Sequence, residues 1–131
     1  MNFIILLTMI FLHIVDDFYL QGSLGKYKQK EWWINNYPDK MYSFDYITCL
    51  FIHAFSWTFV MCLPITIGLV FSLEYIKCDY FDYILFFIFN VIIHFVIDNA
   101  KANWKIMSLT EDQCMHILQI FCTWLVCIGG I

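Results

Sequence analysis

The stretch YITCLFIHAFSWTFVMCLPITIGLVFSL, from Tyr46 to Leu73, decides the fold. It contains no Asp, Glu, Lys or Arg, and its one imidazole is His53. A helix needs about 20 apolar residues to cross a hydrocarbon core of about 30 Å. A chain in lipid must satisfy its backbone amides internally, and the stretch is too long for a barrel strand, so a membrane-spanning helix is expected. Its surplus length, with Pro64 and Gly68 inside it, predicts tilting and a kink.

Three more apolar runs flank it, at about residues 2–20, 80–97 and 114–131. The 131 residues leave room for one integral membrane domain, residues 1–131. The expected fold is all-α, a four-helix transmembrane bundle. Composition agrees, with 62% hydrophobic and only 14% charged residues, whereas an average globular chain is about a quarter charged. So apolar a surface excludes a cytosolic enzyme or a nucleic-acid binder, and the lipid bilayer is the expected partner. A homo-oligomer remains open. The first run lacks a basic flank and a small-residue cleavage site, so it reads as a retained span rather than a signal peptide. The abundance of Ile, Phe, Tyr and Asn suggests an AT-rich bacterial or phage source.

All seven basic residues are lysines. Lys26, Lys28, Lys30 and Lys40 lie between the first two spans, Lys77 between the second and third, and Lys101 and Lys105 between the third and fourth. The positive-inside rule puts the first and third connections in the cytoplasm and both termini outside. The expected location is a cell inner or plasma membrane, as a multi-pass protein. The first connection mixes its lysines with Trp32, Trp33, Tyr37 and Tyr42, as suits a segment at the headgroup level. The six cysteines form no CxxC pair and read as buried free thiols.

Every histidine falls inside a span. His13 and His94 lie near the ends of the first and third, His53 and His116 near the starts of the second and fourth. In an up-down bundle these positions share one leaflet, the lysine-rich one. Carboxylates accompany them at helical spacing: His13 with Asp17, His94 with Asp98, and Asp112 with His116. Residues four apart stack on one helix face. A central Asp or Lys costs roughly 2.5–3.5 kcal/mol to insert, so such groups face the protein interior and find partners.

Imidazole and carboxylate ligands suit a divalent ion such as Zn, Mn or Fe, and facing helices can build such a site. The expected ligands are His13, Asp17, His53, His94, Asp98, Asp112 and His116. Asp17 and Asp98 also qualify as catalytic carboxylates, and Lys101 as the group that orients an anion or pairs with Asp98. Asp16, turned about 100° from Asp17 on a regular helix, reads as solvated. A bound ion can activate a water, which makes a metal-dependent hydrolase of a lipid-linked or membrane-proximal substrate the leading function. A proton pathway and a purely structural polar network are the competing readings. The last would suit a non-enzymatic phage or prophage membrane protein, a pore or an interaction factor.

The motifs His13-x-x-x-Asp17-Phe18-x-Leu20-Gln21, His94-x-x-x-Asp98-x-x-Lys101 and Asp112-Gln113-x-x-His116 resemble those of domain-of-unknown-function family 3307, small bacterial and phage membrane proteins. His53 sits where that family tends to carry a histidine after its basic loop. The resemblance spans nearly the whole chain, the stretch from Gly22 to Asp45 matching only loosely. It implies that these residues matter and assigns them no role.

Overall fold

The ends of the first and last long helices meet, where the Trp124 indole N–H donates to the Asn2 carbonyl at 2.9 Å. In this computed structural model, which describes residues 2–129, the chain is helical throughout its regular elements. Gly130 and Ile131, the last positions of the expected fourth span, lie outside the described residues. The elements are α1 (Asn2–Val15), α2 (Leu24–Tyr27), α3 (Lys30–Asn36), α4 (Asp45–Val70), α5 (Tyr80–Asn99) and α6 (Leu109–Trp124). Wider π-helical turns extend α1 through Asp16–Leu20, α5 through Ala100–Trp104 and α6 through Leu125–Gly129.

Four of these helices are long and apolar enough to cross a membrane. Helix α1 packs on α4, α4 on α5, α5 on α6 and α6 back on α1, which closes a ring. Their outer faces are greasy: Phe3, Phe11, Phe81 and Phe89 are all more than half exposed, while all four histidines are at most 1% exposed. Water would favour the reverse arrangement, so this inverted surface defines an integral membrane protein.

The boundaries follow local chemistry. Helix α6 begins before the expected 114 because Ser108 and Glu111 form a reciprocal capping box, which brings Asp112 into its first turn. Helix α5 starts where the Asp79 carboxylate accepts from the Asp82 N–H at 2.8 Å, and its π turn ends at Lys105 in left-handed backbone. Helix α4 runs unbroken through Pro64. At Gly68 an added Cβ would lie 2.6 Å from Ile76 Cγ1 and 2.9 Å from the Tyr75 hydroxyl, so any side chain there would force these neighbours to shift. That close approach seats the α4–α5 connection against the bundle.

The half of the bundle next to the termini is apolar, built on Met9, Met61, Ile65, Ile120 and Ile128. One polar layer joins α5 to α6, where the Asn90 amide donates to Thr123 Oγ1 at 2.9 Å and Gln119 donates to the Asn90 carbonyl at 2.8 Å. Such interhelical bonds replace the hydrophobic drive that lipid does not supply. All six cysteines are free; Cys62, Cys78 and Cys127 are buried, whereas Cys114 and Cys122 face outward.

The connection between α1 and α4 folds over the opposite end of the bundle. Asn103 fastens it there, accepting from the Lys30 N–H at 2.7 Å and donating to the Lys28 carbonyl at 3.0 Å. The aromatics Tyr27, Trp32, Trp33, Tyr37 and Tyr42 pack on one another along it, with neighbouring ring centroids 4.6–6.4 Å apart. On its exposed side Glu31 meets Lys105 at 2.7 Å, and that hydrogen bond and charge hold the carboxyl below its ordinary range.

Candidate metal centre

All four imidazoles and four carboxylates converge at the end of the bundle that this connection covers. His53 Nε2 lies 3.2 Å from His94 Nε2, 3.2 Å from Asp98 Oδ2 and 3.3 Å from Asp17 Oδ1. On the other side of Asp98, its Oδ1 lies 3.5 Å from His116 Nε2, which in turn lies 3.4 Å from Asp112 Oδ1. A tetrahedral ion with bonds of about 2.0–2.1 Å sets its ligand atoms about 3.3 Å apart. These spacings lie close to that value, and the remaining edge, His94 Nε2 to Asp98 Oδ2, is longer at 3.8 Å.

Three overlapping groups can each hold a metal ion: Asp17 with His53 and His94, His94 with Asp98 and His116, and Asp17 with Asp112 and His116. His116 Nε2, Asp17 Oδ1 and Asp112 Oδ1 are buried and make no hydrogen bond among the described residues. Orphaned buried acceptors are costly, and a cation would satisfy them together. Donor chemistry points the same way, since nitrogen and oxygen without thiolate suit Zn, Mn or Fe.

His13 occupies a different position. Its Nδ1 accepts the Trp57 indole N–H at 2.7 Å, so its Nε2 carries the proton and donates to Gln113 Oε1 at 3.0 Å. The Gln113 amide then donates to Asp17 Oδ2 at 2.9 Å and to Asp112 Oδ2 at 3.0 Å. A single chain of bonds thus orients two carboxylates of the cluster, the kind of outer support that fixes metal ligands. Trp57 also stacks on His94, with centroids 4.1 Å apart, and His94 stacks on His116 at the same distance.

Two lysines reach the carboxylates. Lys28 Nζ donates to Asp98 Oδ2 at 2.6 Å in a buried pair, and Lys101 Nζ donates to Asp112 Oδ2 at 2.6 Å. The pairing expected between Lys101 and Asp98 is therefore not the one formed; Lys28 holds Asp98 instead. Asp16 is also corrected, for it is 1% exposed rather than solvated. It accepts from the Ser56 hydroxyl at 3.1 Å, and its Oδ2 lies 3.8 Å from His53 Nδ1. Asp16 opens a π turn, in which each residue advances through less than the 100° of an α-helix, so Asp16 and Asp17 both face inward.

Gln113, Trp57 and Lys28 went unassigned in the sequence. Gln113 sits inside the Asp112-x-x-x-His116 motif and Trp57 lies one turn beyond His53, so both carried a positional signal. Lys28 carried none, because its approach depends on how the connection folds back.

Above the cluster opens a cavity of about 440 Å³, floored by Asp17 and lined by Gln21, Lys28, Gln29, Lys101, Lys105 and Gln113. The Gln21 amide stands 3.2 Å from His53 Nε2, linking the cavity to the cluster. Fold and site together define an integral membrane protein with a buried His/Asp cluster able to hold metal. No protein-family model, curated protein or solved structure matches the chain.

Proposed function

We propose that the protein is a metal-dependent hydrolase acting on a lipid-linked or membrane-proximal phosphate or ester at the cytoplasmic face of the inner or plasma membrane. The observation that carries this reading is the overlap of three ligand groups in one buried cluster beneath a lysine-lined cavity. The bound ion would polarise the substrate and activate a water. Asp17, which lines the cavity, would accept that water's proton, and Lys101, which also lines it, would orient the anionic group. The water oxygen would then bond to phosphorus or the acyl carbon as the bond to the leaving oxygen breaks, and that oxygen would take up the proton held by Asp17. The three motifs that resemble those of family 3307 contain most of these residues, and membership of that family is part of the proposal.

A second reading has a specific observation in its favour. Lys28 and Lys101 already pair with Asp98 and Asp112, as a purely structural polar lock in a phage or prophage pore or interaction factor would require. Elemental analysis of the detergent-purified chain separates the two, with His94→Ala as control. At least one ion per wild-type chain, reduced by the substitution, supports the metal centre. Less than one ion, unchanged by it, leaves the structural lock. Asp98→Asn adds a second criterion: hydrolysis lost with thermal stability kept favours chemistry, and collapse of stability favours the lock.

A further inference from the structure

The cluster divides into two halves that share their carboxylates. On one side His53 Nε2 and His94 Nε2 face Asp98 Oδ2 and Asp17. On the other, His116 Nε2 and Asp112 Oδ1 face Asp98 Oδ1. Asp98 therefore presents one oxygen to each half, and Asp17 belongs to a ligand group in each. A carboxylate with its two oxygens directed into neighbouring ligand sets is the geometry of a bridge between two ions.

Ring spacing gives an independent measure. His94 and His116 stack 4.1 Å apart at an interplanar angle of 24°, and each directs its Nε2 to a different half. Two ions bridged by carboxylates sit about 3.5–4 Å apart. Near-parallel imidazoles at that separation can each serve one ion without rearrangement.

Charge is consistent with two loading steps. Asp16, Asp17, Asp98 and Asp112 are opposed by Lys28 and Lys101, which leaves two negative charges if the imidazoles are neutral. One divalent ion balances that surplus. A second balances it once both ammonium groups have swung from the carboxylates into the adjoining cavity, which both lysines already line.

We infer that the cluster is a two-ion centre: His53 and His94 hold one divalent cation, His116 and Asp112 hold the second, and Asp98 bridges them with one oxygen to each. This rests on the metal reading above and goes beyond it in number and arrangement. The test uses the full chain in detergent, stripped with chelator and reloaded separately with Zn²⁺ and Mn²⁺. Two ions per chain are expected, and the Mn²⁺ form should show an exchange-coupled electron paramagnetic resonance spectrum. His116→Ala, or Asp112→Asn should that variant fail to fold, is expected to retain one ion with an uncoupled six-line signal. One ion per wild-type chain, two ions without exchange coupling, or two ions retained by the His116 or Asp112 variant overturns the two-ion arrangement and leaves the metal reading standing. No ion of either kind overturns both.

Discussion

The Trp57 indole donates its N–H to His13 Nδ1 at 2.7 Å while its ring stacks on His94, so one side chain sets the tautomer of one imidazole and the plane of another. Trp57 lies wholly buried at the level where the apolar half of the bundle gives way to the polar cluster. Trp57→Phe keeps a ring to stack and removes the donor. A buried acceptor left without its partner costs about 1–3 kcal/mol, so the metal-free protein should lose stability in that range in a denaturation series in detergent. Zn²⁺ affinity should fall as well, on the order of 10–100-fold for loss of outer support, read by competition with a chromophoric chelator.

Lys28 and Asp98 form a buried ion pair between the covering connection and α5. Removing one member of such a pair strands the other, at a cost of about 3–5 kcal/mol. Lys28→Gln should therefore destabilise the metal-free protein by roughly that amount. Because a divalent ion on Asp98 would supply the missing charge, added Zn²⁺ should raise the melting temperature of the variant more than that of the wild type. Equal shifts would mean that the ion and the lysine do not share this carboxylate.

Gly68 serves the packing and lies apart from the cluster. Gly68→Ala forces its new methyl against Ile76 and Tyr75, and overpacking of this kind costs about 1–3 kcal/mol. Thermal stability should drop while the number of bound ions stays at the wild-type value. A parallel loss of metal would show that the two ends of the bundle are coupled.

Orientation is open to cysteine labelling. Cys78, although in the connection between α4 and α5, is buried and makes a poor reporter, with its thiol pushed up by burial. Glu74 in the same connection is exposed. With both termini outside, Glu74→Cys lies on the cytoplasmic-opposed side only if the six lysines of the other connections face inward. In intact cells the Glu74→Cys variant should then react with an impermeant maleimide from outside. Labelling only after permeabilisation would invert the proposed topology.

Long apolar runs and the His-x-x-x-Asp spacings are local properties, and they were enough to define the four spans and to place the four histidines at one end of the bundle. Helix period fixes which residues on one span share a face, so His94 with Asp98 and Asp112 with His116 could be paired without knowledge of their neighbours. Which oxygen of Asp98 meets which imidazole depends on how α4, α5 and α6 are rotated against one another, and no periodicity encodes that. The inward turn of Asp16 came from a π turn that breaks the regular 100° advance. Lys28 reached Asp98 because Asn103 pins a distant segment above it, a contact between residues 75 apart in the chain. Sequence determined the elements and the chemistry each carries; only tertiary packing decided which charges meet.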